Sequence, residues 1–386
     1  MHWPWTPVEH LSGFQPPFCP RRGCPEHVRL APGFRFERHG FYGTRRRWRI
    51  PRFRCRVCRA SFSRQSFAVS YYSKRPELLV PIAAGLVGGS AHRQIARTLG
   101  CAPSTVTRNA ARLGRHAILL LALTRRELAG QANEPFVFDH FETFEFTQDY
   151  PFGVGTLVGA KSWFVYDLDP APHRRTGHVS SAQRRRLDLR PQRRRRGGYV
   201  GSSRRVFQRL RDVTSPDTTV TVIADGHEAY ECAARDPSLE REIVLESHPN
   251  PPRGPKGSSR SEAARLRDER LFPVDLLHKL LRHSLAHQRR ETIAFGRRLN
   301  AVMEQMFLTA VWRNFVKKRS ERNSRSGTPA MRLGLTRERW PWPRVFSRRL
   351  FPARTATPGT WAQLYRRLWT SPLYENNSTH KLKLAF

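Results

Sequence analysis

The stretch TTVTVIADGHEAY, residues 218–230, constrains the fold more than any other part of the chain. It starts as a β-branched, apolar run and stops on Asp225, Gly226 and His227. An apolar run of this kind suits a central strand covered on both faces, in a sheet with helices packed on it. In open α/β sheets, ligands gather at the carboxyl ends of the strands, and Asp225 falls at such an end. The chain holds 69 Lys and Arg against 31 Asp and Glu, a net charge of +38. A carboxylate ending the most strand-like segment of so basic a chain asks for an explanation.

That charge bounds the partners. A surface this basic attracts a polyanion through phosphate contacts and counterion release. Lys is scarce beside Arg, the mark of a coding bias that inflates the charge without removing the excess. An anionic membrane would need an amphipathic anchor or an apolar span. Neither is visible, so nucleic acid is favoured and no membrane association is expected. The opening MHWPWTPVEHLSGF lacks the basic and apolar regions of a secretory signal. With 386 residues, 39% of them apolar, the chain is long enough for two or three units with real cores.

Composition divides the chain into four regions. Residues 1–70 are rich in Cys, Pro, aromatics and Arg, and 71–130 read as helical. Residues 134–318 alternate strand-like and helical runs around an Arg/Gly/Ser-rich interruption at about 173–203, and 319–386 read as a basic tail with Pro and Trp. The fold class expected is multidomain α/β.

The first region carries FCPRRGC and FRCRVCRASFS, with four residues between Cys19 and Cys24 and two between Cys55 and Cys58. Each spacing suits a knuckle that points two thiolates at one ion, and two knuckles complete a closed, tetrahedral structural zinc site. Alternating Phe53, Cys55 and Val57, followed by Phe62, suggest β-ribbons. A unit this small would couple metal binding to folding. The competing reading is two pairs of reduced, buried cysteines. Cys101 and Cys232 read as simple small residues.

In the second region SAHRQIARTLGCAPSTVTRNAARL has the layout of a helix-turn-helix. Ile95 and Leu99 lie one turn apart, Gly100 suits the turn, and Pro103 fits the first turn of a second helix with Val106, Ala110 and Leu113 on its core face. Ser104, Thr105, Thr107 and Arg108 would then be exposed where a recognition helix meets base edges and phosphates. An ordinary two-helix packing unit has the same pattern; a cysteine-rich ribbon and the high charge favour DNA.

In the third region EPFVFDHFETFEF reads as a strand containing Asp139. GVGTLVGA and SWFVYDLD follow as strands joined at Ala160 and Lys161, then a helix around Ser203–Arg211, then the opening stretch. Residues 273–318 read as one long helical region, giving the order β-β-β-α-β-α. The Arg-rich run is either an insertion that clamps DNA or a solvated loop.

A carboxylate at a buried strand end is costly unless a cation compensates it. Two Mg²⁺ (or Mn²⁺) ions held by carboxylates can activate the attacking oxygen and stabilise the leaving oxygen at a phosphodiester. Such a site needs acids from separate elements. Asp139 and Asp225 are the strand candidates and Glu291, in HQRRETIAFGRRLN, is the helical one. Glu142, Glu304 and Asp275 stand in reserve, and His227, His283 and His287 are candidates for phosphate contact.

With these stretches in view, the chain resembles the DDE transposases of bacterial insertion sequences that carry an N-terminal zinc ribbon and helix-turn-helix before an RNase H-like catalytic domain. CPRRGC, FRCRVCRASFS, GGSAHRQIARTLGCAPSTVTR, VFDHFETFE, VIADGHEAY and HQRRETIAFGRRLN carry the resemblance, as does TPAMRLGLTRERWPWPRVFSRRLF. It implies catalytic carboxylates at Asp139, Asp225 and Glu291, catalytic Mg²⁺, structural Zn²⁺, and Arg298, two helical turns after the glutamate, as a phosphate contact. It also implies cleavage of element ends and strand transfer into target double-stranded DNA, by a homo-oligomer in the nucleoid of a prokaryotic cytoplasm. His140 and Gln288 depart from the family pattern. The alternatives are a sequence-specific DNA-binding protein with a degenerate, inactive catalytic domain, and a structure-selective nuclease.

Overall fold

Period-two and period-3.6 patterning divides the chain into eight strands and thirteen helices among the described residues. In the computed structural model these are 13–29, 33–44, 47–175, 179–189, 198–217, 219–239, 243–252, 255, 258–289, 292–323 and 325–368. In chain order they begin with helix α1 (Pro25–Val28) and strands β1 (Phe36–Thr44), β2 (Arg47–Cys55) and β3 (Ser61–Ser63). Helices α2 (Leu79–Val87), α3 (His92–Thr98) and α4 (Pro103–Glu127) follow. Next come β4 (Phe136–Phe144), β5 (Pro151–Gly159), β6 (Val165–Pro172), α5 (Ser181–Asp188), α6 (Gly198–Leu210), β7 (Val220–Ala224), α7 (Glu228–Ala234) and β8 (Ile243–Ser247). The chain then turns helical, through α8 (Glu262–Arg270), α9 (Phe272–Ser284), α10 (Leu299–Val311), α11 (Pro329–Arg332), α12 (Trp342–Val345) and α13 (Gly359–Arg366). The fold is mixed α/β with two sheets.

The first sheet is the antiparallel ribbon β1-β2-β3. Alternation puts Phe53 and Cys55 on one face, where they pack with Cys19, Cys24, Phe62, Phe67 and Phe351 in a small core of their own. Its rings meet mostly edge to face, as at Phe18–Phe67 and Phe36–Phe53.

Helices α3 and α4 are joined by a short turn at Gly100. Ile95 and Ala96 on the first, and Val106, Ala110 and Leu113 on the second, are buried. Gly100 makes the turn in the left-handed region at φ +56°. The second helix does not stop there. It runs 25 residues, and its second half is buried almost all round. At Gly114 it crosses α10 so closely that a Cβ would lie 2.4 Å from the Glu304 carbonyl oxygen.

The second sheet has the order β6-β5-β4-β7-β8. Strand β5 is antiparallel to both neighbours, whereas β4, β7 and β8 run parallel. Period two splits the faces of β4. Phe138 and His140 meet Phe207 and Tyr199 of α6 and Tyr230 of α7. Asp139 and Phe141 face His278 of α9. The apolar stretch 220–224 is a central strand, as its composition requires.

Several elements depart from the sequence reading. The region 273–318 is not one helix: α9 stops at Ser284, Leu285 turns extended at φ −117°, and α10 begins only at Leu299. Strand β8 and helices α5 and α8 were not anticipated, and α6 starts at Gly198, inside the stretch taken as an insertion. The "basic tail" from residue 319 is core in its described part. Trp340, Val345, Trp361, Leu364 and Tyr365 are buried in the same cluster as the second sheet and the helix-turn-helix. Trp361 Nε1 donates to the Leu168 carbonyl at 3.1 Å. Phe351 enters the cysteine-rich core, and Arg354 donates to the His27 carbonyl.

Candidate metal and phosphodiester sites

The four cysteines converge. The ligand atoms of Cys19, Cys24, Cys55 and Cys58 all lie within 4.8 Å of one another, and three of the four residues are buried. Cys19 pairs with Cys58 at 3.6 Å and Cys24 with Cys55 at 3.8 Å, so each contact joins one knuckle to the other. Burial pushes the Cys19 and Cys24 thiols up. At Cys58 burial also raises the pKa, but the Ala60 backbone N–H and the neighbouring thiols outweigh it and hold the group down. Four sulfurs sharing a dry pocket with one favoured thiolate is a donor set for a soft divalent cation such as zinc.

The second constellation lies where the middle of β4 passes the carboxyl end of β7. Val137 of β4 is opposite Ile223 of β7. Continuing that register by two residues sets Asp139 level with Asp225, just past the end of β7. There β4 runs on past β7 while staying paired with β5, and its edge on the β7 side is served by side chains. The His140 N–H donates to Asp139 Oδ1 at 2.7 Å and lies 3.2 Å from the Tyr230 hydroxyl, which itself donates to Asp139 Oδ1 at 3.1 Å. Asp225 Oδ1 accepts from the His227 N–H at 3.1 Å.

Burial, and then the charge of Asp225, raise the Asp139 carboxyl from 3.8 to about 7; Asp275 adds to the rise. No Lys or Arg lies within 4 Å of either Asp139 or Asp225 among the described residues. The contrast with β6 is instructive. Asp167 and Asp169 are fully buried, yet Arg209 bonds both, at 2.7 and 2.8 Å, and Arg205 clasps Asp169 at 2.5 Å. Those acids are structural ion pairs. Asp139 instead faces His278, Nδ1 to Oδ2 at 3.6 Å, and burial followed by the charges of Arg282 and Arg267 pushes that imidazole down to about 3, so it is neutral.

A cleft of about 700 Å³ opens beside the acids, lined by Glu142, Asp275, His278, Lys279, Arg282 and Arg289 among others. Arg289 also donates to the Gly89 carbonyl at 3.3 Å, and the His92 and His287 rings meet at 6.1 Å. The cleft therefore reaches the start of α3. On α4, Ser104, Thr107 and Arg108 are exposed and Thr105 is half-buried.

Of the other expected residues, Glu291 lies outside the described residues. Arg298 precedes α10 as its N-cap, in extended conformation, so it is not two turns along a helix from Glu291. Glu304 is buried against Gly114 and held by Arg367 at 2.7 and 2.8 Å, remote from the acids' role. Glu142 is half-exposed and meets His173 at 3.2 Å. Asp275 stands in the first turn of α9, paired with Arg267 at 2.5 Å. His283 lines the cleft and His227 caps α7, whereas His287 packs on His92 instead. His278, Thr156 and Tyr230 were missed. The only signal for His278 was its place one turn after Asp275 in FPVDLLH.

Comparison with family models, with curated proteins and with solved structures returns no match to this chain. No helix among the described residues is long and apolar enough to cross a membrane.

Proposed function

We propose that this chain is a DDE-type DNA transposase, with a zinc ribbon and helix-turn-helix that read element ends and an RNase H-like domain that cleaves and joins them. One observation carries the reading. Asp139 lies on β4 and Asp225 just past the end of the adjacent parallel strand β7, and among the described residues neither has an arginine or lysine within 4 Å. An acid pair with no protein cation in contact, where burial and then its own repulsion raise one pKa, suits a cation that comes from solution. The mixed five-stranded sheet, with one antiparallel strand, an acid in the middle of β4 and another just past β7, is consistent with the arrangement that an RNase H-like domain calls for.

The donor set fits magnesium or manganese, since it is carboxylate oxygen beside a neutral imidazole. Asp139 and Asp225 would hold the metal, which when bound supplies Lewis-acid activation of a phosphodiester. The protein's own part is positional. Tyr230 and the His140 N–H orient the Asp139 carboxylate. Lys279, Arg282 and Arg289 line a groove in which a phosphate backbone can lie next to the acids. Exposed Ser104, Thr107 and Arg108 would meet a major groove while α4 anchors them. Four cysteines holding one zinc would fix the ribbon.

The alternative, a DNA-binding protein with an inactive site, draws on a different observation. Among the described residues only the four cysteines bring three or more ligand atoms within 4.8 Å of one another. The test is purified protein with Mg²⁺ or Mn²⁺ and a labelled duplex carrying an element end. Nicking that Asp225→Asn abolishes, with end binding kept, supports the transposase. Binding without nicking in the unmodified protein supports the alternative.

A further inference from the structure

We propose that Thr107 is set as a hydrogen-bond acceptor by His92, so that α4 reads the exocyclic amine of an adenine or a cytosine in the major groove. The proposal rests on reading α4 as the DNA-contacting helix. It deepens that reading by naming the base chemistry recognised at one position.

A free hydroxyl is an ambiguous reader. Threonine carries one O–H donor and two acceptor lone pairs, so at a base edge it can serve an amine or a carbonyl. Thr107 is exposed on α4, one turn after Pro103, and its hydroxyl is already engaged twice. Oγ1 lies 3.1 Å from the Pro103 carbonyl oxygen and 3.1 Å from His92 Nδ1. A carbonyl oxygen has no proton to give, so the hydroxyl proton goes to Pro103. His92 then donates from Nδ1–H into one lone pair of Oγ1. The side chain keeps a single lone pair and a methyl group for any outside partner.

The far side of the imidazole agrees with this assignment. With the proton on Nδ1, Nε2 of a neutral ring is an acceptor. The Gln305 side-chain amide nitrogen, which can only donate, lies 3.1 Å from it. Burial pushes the His92 imidazole below its ordinary value, which keeps it neutral. The bonds therefore run in one direction, from Gln305 through His92 and Thr107 to the Pro103 carbonyl. Gln305 is buried on α10, the helix that crosses α4 at Gly114. Its place is set by core packing, so the direction of the bonds is built into the fold. His92 is a positioning residue here, and Thr107 is the one that would touch the base.

In the major groove adenine N6 and cytosine N4 offer protons, whereas guanine O6 and N7 and thymine O4 accept them. An oxygen left with only a lone pair matches the amines and repels the carbonyls.

The experiment uses the full chain in two stages. Duplexes with a randomised core of about 20 base pairs, two turns of B-DNA, are selected by binding to wild type, Thr107→Val, His92→Phe and His92→Asn. Wild type should enrich one site. Thr107→Val should lose preference at one base pair and keep it at the others, and preference kept elsewhere shows that a variant is folded. At that base pair the amine is then deleted, with purine in place of adenine or pyrimidin-2-one in place of cytosine. Wild type should bind the deleted duplex about two- to tenfold more weakly, the worth of one hydrogen bond, and Thr107→Val should bind both duplexes alike. His92→Phe keeps a ring but loses the N–H, so its penalty should fall below about twofold. His92→Asn, whose amide can donate in place of Nδ1–H, should restore the penalty. A Thr107→Val variant that relaxes no base pair, or an amine deletion that costs wild type nothing, overturns the acceptor role of Thr107. An undiminished penalty in His92→Phe overturns the role of His92. Either result leaves α4 as a DNA-reading helix. A wild type that enriches no sequence overturns that reading and this inference with it.

Discussion

Replacing Asp139 by asparagine should stabilise the divalent-metal-free protein above neutral pH, although it removes a residue proposed to be essential. The carboxyl is raised from 3.8 to about 7, first by burial and then by Asp225. Since the folded state holds this proton more tightly than the unfolded state, the associated stability is fully present below pH 3.8 and is lost as pH rises through about 7. At about 1.4 kcal/mol per tenfold, the ionised form costs the fold roughly 4 kcal/mol above that pH. The side chain is 18% exposed, so solvent screening brings the expected gain to about 2–4 kcal/mol. Asparagine removes the charge and keeps the geometry. Its oxygen still accepts from the His140 N–H and Tyr230, and its amide faces His278 Nδ1 without a charge. Urea unfolding of wild type and Asp139→Asn at pH 5 and pH 8.5, in buffer stripped of divalent ions but without a chelator that would strip the cysteines, measures the difference. The variant should be the more stable at pH 8.5, the gap should shrink at pH 5, and added Mn²⁺ should stabilise the wild type alone. A variant less stable than wild type at pH 8.5 would refute the reasoning, because Asp139 would then be a satisfied structural acid like Asp167.

Purified reduced protein should contain about one zinc per chain, and Cys55→Ser should lower both metal content and thermal stability, since ribbon folding and metal binding are coupled; metal-free protein with an intact ribbon counts against it. Gly114→Ala should cost at least about 1–3 kcal/mol in denaturant unfolding, because its methyl would meet the Glu304 backbone at 2.4 Å. Trp361→Ala should cost about 3–5 kcal/mol, whereas a dispensable tail would tolerate it. Arg108→Ala should weaken binding to an element end more than to random DNA in a gel-shift titration, and equal losses would count against a recognition helix.

The sheet was legible because its strands are short, apolar and bounded by turn residues, and the acids were legible because they interrupt those strands. Strand β8 was not, since Ile243–Ser247 carries only three apolar residues and pairs at the sheet edge. The break between α9 and α10 escaped for a different reason. Residues 285–298 hold no proline and a single glycine, so nothing local stops a helix; packing does, with the Phe146 N–H donating to the Gly296 carbonyl and the Leu299 N–H to Glu145. His278 could not be singled out among fifteen histidines, because its meaning depends on Thr156 and Asp139, far away in sequence. The last region was misread through its arginines. Its tryptophans were the better guide, since a side chain that large is seldom left in water.

The placement of those tryptophans has a consequence for biosynthesis. Phe351 completes the cysteine-rich core and Trp361 closes the space between α10 and the edge strand β6. During translation, therefore, neither the ribbon nor the second sheet has its full complement of partners until the ribosome has passed residue 365. Early segments wait, and a transcript cut short near residue 340 would yield a chain with two open cores. The described fold therefore closes only once nearly all of it has been made.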